Sequence, residues 1–312
     1  MTAGSGFTLV ELMVAVALGW LVLSGAIALH QTVSRAGAQS AALAELNDAA
    51  RFALAYVETD LRQAGFLGLL GSPETIAGVA GPEAATTLAV GNDCGRNFAV
   101  NLVVPVDGRN NVYDLACRPY RSPQPGSDVL IVRRAAGITS VPAAGRLQVH
   151  TSLTGGGLSS DGQVPPELVA PVDTRDLVVS AYYVSRASSI GADVPGLRRK
   201  ILRNGPRMVD EELMPGIEDL QIQFGVDLDP VGDPGRGSVD VWVNPEDARL
   251  ASDGARIAAA RVWLRAAAAD APAGYRAPLP AYADRTPPRD DERRRILVSR
   301  SYALRNSIAA GP

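Results

Sequence analysis

One carboxylate stands out by its position. Glu11 lies five residues past Gly6, at the head of an apolar run that continues to about Leu29. An ionised group inside a bilayer-length segment costs on the order of 2.5–3.5 kcal/mol at the centre and less near the ends. Such groups persist chiefly where something pairs with them. The chemistry open to Glu11 is therefore electrostatic: it can receive a cation in a low-dielectric surrounding, where an unpaired charge is far costlier than a paired one.

The other candidate sites carry less. Asp227, Asp229 and Asp233, with Asp240 beyond, put carboxylates in a Gly/Pro-rich loop. Oxygen ligands on a flexible loop suit Ca²⁺. The spacing departs from an EF-hand, because Pro230 intrudes and no Glu occupies the twelfth position, so a solvated turn between two strands is the simpler reading. A Ser-His-Asp site would need His150, since His30 falls at the end of the apolar run, and no G-x-S-x-G is present. Gly155-Gly156-Gly157 lacks the Gly-Lys-Ser/Thr of a P-loop. Arg198-Arg199-Lys200 and Arg293-Arg294-Arg295 read as solvated strand or loop faces. Nothing here assembles a nucleophile with a base, which argues against an enzyme and implies no cofactor.

Composition narrows the class. The 312 residues carry a net charge of -3, against a general nucleic-acid binder. Apolar residues make up 46%, enough for a core beyond the N-terminal run. Abundant Gly and Pro favour strands joined by many turns. Two cysteines, Cys94 and Cys117, lie 23 positions apart, with no CxxC. Downstream of a membrane-length segment they read as one disulfide in an oxidising compartment, worth roughly 3 kcal/mol on a chain-entropy estimate. The alternative is two unpaired buried thiols in a cytosolic protein.

The elements follow from periodicity. Phe7–Leu29 is long enough for a bilayer-spanning helix. A secretory signal is a second reading, with Ala36-Gly37-Ala38 as a cleavage site, but the run exceeds the usual apolar length and Met1–Gly6 has no Lys or Arg. Beyond Leu29 the helical pattern continues. Leu43, Leu46, Ala50, Ala53, Leu54, Val57 and Leu61 recur at three- and four-residue spacing, with Arg62 and Gly65 as a stop. One helix from Phe7 to about Ala64 is expected, roughly 87 Å long, apolar all round in its first half and amphipathic in its second. Gly19 and Gly25 in the first half suit close helix approach or local bending. Strands are expected at Asp128–Arg133, Arg146–Thr151, Asp176–Ser185, Leu197–Arg203, Glu218–Val226, Val239–Val243, Ala255–Ala268 and Ile296–Arg305, with Leu153–Pro166 and Pro272–Pro288 as loops. The fold class is α+β: a long N-terminal helix on an antiparallel β-rich head. Periodicity thus divides the chain into 7–30 apolar helix, 31–65 amphipathic helix and 66–312 head, and the resemblance described next makes 1–6 a leader.

The start, Gly6-Phe7-Thr8-Leu9-Val10-Glu11-Leu12-Met13-Val14, resembles the class III signal of type IV pilins and pseudopilins. Beyond it, the chain resembles PilW-type minor pilins. Asp60-Leu61-Arg62-Gln63-Ala64-Gly65-Phe66, Glu212–Asp227 and Tyr302-Ala303-Leu304-Arg305-Asn306 carry that likeness. The resemblance implies cleavage between Gly6 and Phe7 by a prepilin peptidase, N-methylation of Phe7, and Glu11 as the assembly carboxylate. It implies a single-pass inner-membrane protein with a periplasmic head, assembling with other minor and major pilins on the inner-membrane platform into a surface pilus. Adhesion and twitching motility are the functions such pili serve. The uncharged Met1–Gly6 departs from the basic leaders of that family. A J-type pseudopilin of type II secretion, and an adhesin or DNA-uptake subunit, are the alternatives.

Overall fold

The computed structural model describes residues 8–268, 279–286 and 293–306. A long helix, α1 (Leu9–Arg62), leads. Among the described residues the strands are β1 (Ile76–Ala77), β2 (Val106–Arg109), β3 (Val129–Ala135), β4 (Ala144–Thr151), β5 (Gly156–Asp161), β6 (Asp173–Ser185), β7 (Gly196–Arg203), β8 (Arg207–Pro215), β9 (Ile217–Asp227), β10 (Val241–Val243), β11 (Arg256–Ala267) and β12 (Arg295–Ala303). The chain divides into two compact units, Met1–Glu45 and Leu46–Pro312. The last turns of α1 thus belong to the second unit. The expected α+β class is met.

The second unit holds two sheets. In the first, β6 is the central strand of the order β1-β5-β4-β6-β3-β2. Its first residues pair with β4, and its later ones pair with β3 on one edge and β7 on the other, with β8 outside β7. The second sheet has the order β10-β9-β11-β12 and is antiparallel throughout. The antiparallel expectation has one exception, the short parallel pair β1–β5.

Burial explains the strand sequences. One face of the first sheet (Leu130, Val132, Tyr182, Val184, Leu197) joins Leu46, Ala50, Ala53, Leu54, Val57 and Leu61 of α1 in one core. The same core takes the inward residues of the second sheet, Leu220, Ile222 and Phe224 of β9 and Ala260, Val262 and Leu264 of β11. The expected alternation of β9 is therefore real. The other face of the first sheet (Val129, Ile131, Val179, Ala181, Tyr183) is covered by the Leu67–Cys117 region, which forms a second core. With both faces buried, β3 has no polar alternation, as in any strand sandwiched between layers. Each fully buried Leu, Ile or Phe contributes about 1.5–3 kcal/mol.

The sheets are spliced at Ser127 and Asp128. The Asp128 amide donates to the Leu220 carbonyl, and the Leu220 amide donates to Ser127 Oγ. Asp128 accepts the Asn111 amide on one oxygen and the Ile222 amide on the other, each at 2.8 Å. These bonds continue the free edge of β9 into the start of β3. Burial pushes the Asp128 carboxyl up to about 7, against the two amides that hold it down.

Several expectations are corrected. Leu153–Pro166 is not all loop, because β5 lies inside it; its glycines sit where Cβ atoms would meet the His150 carbonyl, Ile76 and Pro165. β10 is shorter than Val239–Val243. β8 was not expected at all. Asn204-Gly205 was its sequence signal, a hairpin turn in which Gly205 takes φ +75°. Arg198-Arg199-Lys200 is no solvated face: Arg198 and Lys200 are buried in β7, and the run pairs with Asp210, Glu211 and Glu212 of β8. In the second basic run, Arg294 is buried and Arg295 pairs with Glu218.

His150 is fully buried in β4. Its Nδ1 lies 2.8 Å from Thr174 Oγ1 and its Nε2 2.9 Å from Ser159 Oγ. Ser159 Oγ donates to the Gln163 carbonyl, so it accepts from Nε2–H, and Nδ1 accepts from Thr174. A nucleophilic serine would donate the other way, so this is a structural imidazole. Burial holds its pKa below the ordinary value. Below about pH 6.5 the unfolded chain takes up a proton that the folded chain resists. Stability from this group is full above that pH and is lost as pH falls. Between pH 7 and 5 we expect the thermal midpoint of the natural protein, followed by circular dichroism, to fall relative to that of His150→Gln. Asp128 acts with opposite sign but equally in both proteins, so equal slopes would reject the assignment.

Candidate functional site

The first turn of α1 is capped by Thr8. Its Oγ1 accepts the Glu11 amide at 3.3 Å and its carbonyl accepts the Leu12 amide at 3.1 Å. Thr8-Leu9-Val10-Glu11 has the spacing of a capping box, and an acidic residue in the first turn faces the positive end of the helix dipole. Glu11 is exposed. Gly6 and Phe7, the proposed cleavage pair, lie outside the described residues. The helix begins at Leu9 and ends at Arg62, two residues inside each expected bound.

From Leu9 to Val33 the side chains of the first unit are uncovered. Leu9, Val10, Leu12, Trp20, Leu21, Val22, Leu29 and Val33 are each more than 60% exposed. The helix is long and apolar enough to cross a membrane, with a mean hydropathy of 2.4 over its most apolar window. Cβ atoms added at Gly19 and Gly25 would meet nothing within 4 Å. An apolar surface of that extent has no place in water.

In the second unit the last turns of α1 are fixed by polar contacts as well as packing. Asp60 is buried. Its Oδ1 accepts Arg134 Nε at 3.0 Å and Nη2 at 2.8 Å, and its Oδ2 accepts the Tyr182 hydroxyl at 2.6 Å. Burial, then the charge of Asp60, pushes the Tyr182 phenol well above its ordinary value, which keeps it a donor. Arg134 Nη1 also reaches Gln63 Oε1 at 2.9 Å. On the other flank Arg300 of β12 pairs with Glu58 at 2.6 Å, and the Tyr302 hydroxyl donates to the Leu54 carbonyl. The helix stops at Gly65, where φ is +73° and the amide turns to the Arg133 carbonyl. Asn306 Nδ2 then caps the freed Ala64 carbonyl at 3.2 Å.

These contacts bring together the three segments singled out in sequence. Asp60–Phe66 supplies the buried carboxylate and the helix stop. Glu212–Asp227 supplies the Pro215-Gly216 turn and the β9 face under the helix, and its Glu218 pairs with Arg265 and Arg295. Tyr302–Asn306 supplies the strand end that closes over α1. Residues 181–306, from the middle of β6 through β12, match the family described as type IV pilus-assembly protein W. This part of the chain is similar to that family. No curated protein and no solved structure matches the chain. Two of the three segments lie inside the matched residues. The Asp60 segment lies outside them, and packs against Tyr182 within them.

The remaining candidates fall elsewhere in the chain. Cys94 and Cys117 form a disulfide at 2.04 Å in the second core, where the Tyr113 hydroxyl donates to the Cys117 carbonyl. In the acidic loop, oxygens of Asp227, Asp229 and Asp240 lie within 4.8 Å of one another, whereas Asp233 stands outside the group and accepts the Gly235 amide. Asp227 accepts the Asp229 and Gly237 amides, and Asp240 accepts the Leu228 amide. The carboxylates shape their own turn. Asp60, Arg134 and Tyr182 were missed as functional residues by sequence reading. The one signal was a carboxylate on the apolar stripe of a helix, in register with Val57 and Leu61. Asp60→Ala deprives the half-buried Arg134 of its carboxylate and the buried Tyr182 hydroxyl of its acceptor at 2.6 Å, and we expect a loss of about 3–5 kcal/mol in denaturant unfolding. A loss within the range of an exposed pair, about 0–1 kcal/mol, would show that this contact does not hold the helix.

Proposed function

We propose that this protein is a minor pilin of the type IV pilus, a non-enzymatic subunit that helps prime assembly and sits near the pilus tip. The observation that carries the reading is the split character of α1. One continuous helix has an uncovered apolar surface from Leu9 to Val33 and a core-forming face from Leu46 to Leu61. The first surface needs a bilayer or other helices, and a pilin uses both in turn.

The chain inserts as a single span in the inner membrane with the head in the periplasm. A prepilin peptidase cuts after Gly6, and Phe7 becomes the methylated N-terminus. Four residues make about one helical turn, so a helix continued back to residue 7 in the assembled filament would set a Phe7 amine about 6 Å along the axis from Glu11. In a bundle of pilins the amine of one subunit meets the carboxylate of the next, which sets their axial stagger. Partners are thus the other minor and major pilins and the inner-membrane assembly platform. The match to a pilus-assembly family favours this over a type II secretion pseudopilin. The pairing of Arg198–Lys200 with β8 removes the basic face on which a DNA-uptake role would rest.

Glu11→Ala is expected to be processed normally yet fail to restore pili to a deletion strain, whereas Gly6→Val should accumulate uncut precursor on a gel. Wild-type piliation by Glu11→Ala, or normal mobility of Gly6→Val, would contradict the corresponding step.

A further inference from the structure

The sheet edges of the second unit are not protected equally. β1, β2 and β10 are two, four and three residues long. β8 has nine residues but carries Asp210, Glu211 and Glu212, ends at Pro215, and is bridged at its start by Gly91. Short, charged or covered edges are the ordinary ways in which proteins prevent strands from pairing with other chains. β12 is longer than the first three, and the two charges it carries are paired within the chain, Arg295 with Glu218 and Arg300 with Glu58. It runs nine residues in unbroken register with β11, from Arg295 opposite Ala267 to Ala303 opposite Ala259, without proline or bulge.

The parity of this edge is fixed by its two ends. The Arg294 carbonyl accepts from the Ala268 amide, and the Leu304 amide donates to the Ala258 carbonyl. Even-numbered residues therefore turn their main-chain groups toward β11. The groups of Leu297, Ser299, Ser301 and Ala303 turn away, and no hydrogen bond reaches them among the described residues. Ser299, Ser301 and Ala303 are exposed, small and neutral.

Beside this edge, α1 and β12 enclose a groove of about 450 Å³ lined by Asn47, Arg51, Leu54, Val298, Ser299 and Arg300. Its floor is apolar, with Leu54 buried and Val298 packed on the core. Its rim is positive. Arg51 is exposed, with no carboxylate at ion-pair distance among the described residues. Arg300 shares Glu58 with Arg62. A second copy fits poorly: antiparallel pairing of two β12 strands with Ser299 opposite Ser301 would set the two Arg300 side chains opposite each other, and opposed like charges destabilise a strand pair.

The geometry points to the β12 edge as the docking site for an extended, acidic segment of a different pilus subunit. That segment adds a fifth strand to the second sheet through main-chain hydrogen bonds, the mode of strand addition. Its alternate side chains enter the groove, where carboxylates meet Arg51 and Arg300. The inference rests on the pilin reading above for the identity of the partner.

The test uses the tagged full-length chain made in cells with the complete set of pilus proteins, extracted in mild detergent, with co-purified pilins quantified. Ser299→Pro deletes an outward amide while sparing the ladder to β11. Arg51→Glu reverses the groove charge from an exposed helix position. Each is expected to cut recovery of other pilins about tenfold with an unchanged thermal midpoint; if Ser299→Pro lowers the midpoint, Arg51→Glu decides. Wild-type recovery in both variants overturns the proposal, as does recovery of only a second copy of the tagged chain. Full recovery in both, alongside lost pili in Glu11→Ala, removes the edge proposal and leaves the pilin reading in place.

Discussion

The bond from Asp60 to Arg134 and Tyr182 is the contact on which the arrangement of the second unit depends. Hydrophobic burial alone is non-directional. Leu46, Ala50, Leu54, Val57 and Leu61 would bury nearly as well if the helix slid or rotated slightly. A carboxylate that must meet a guanidinium from β3 on one oxygen and a phenol from β6 on the other tolerates no such slip. Buried pairs are weak evidence for net stability but costly to break, and specifying register is their best-attested use. Here the register set is that of a helix on two sheets. Glu58–Arg300 and Asn306–Ala64 repeat the constraint from the strand of the second sheet that closes last in the chain.

From that constraint the sheets take their roles. β6 is both the centre of the first sheet and the donor of Tyr182 to α1, while its neighbour Tyr183 faces the second core and donates to Asp210. Ser127 and Asp128 carry the start of β3 onto the edge of β9, so the two sheets share one core under the helix. The disulfide closes the Leu67–Cys117 cover on the far face. The first unit is subject to a different constraint. From Leu9 to Val33 its side chains are exposed, and an apolar surface of that extent calls for a bilayer or neighbouring helices.

Much of this was legible in the sequence. α1 was readable because its apolar residues keep a helical period and Gly65 supplies a stop that other residues adopt only with strain. β9 was readable because Leu220, Ile222 and Phe224 alternate with glutamines. β8 was not, since its Asp210-Glu211-Glu212 run looks solvent-facing until Arg198–Lys200 is placed opposite it. The basic run was misread as exposed for the same reason: a charged strand pair neutralises itself only in three dimensions. β5 was hidden by glycines that admit close packing. Asp60 and Asp128 escaped notice because their partners are 74 and 94 residues away in sequence. In the acidic loop the carboxylates whose oxygens lie together are Asp227, Asp229 and Asp240, a grouping that spacing along the chain does not single out.

The most direct test of the account is electron microscopy of a strain lacking this gene, with the secreted-protein profile recorded alongside. A minor pilin that primes assembly predicts loss of surface pili with secretion intact. Normal piliation, or intact pili with a block in secretion, would contradict it.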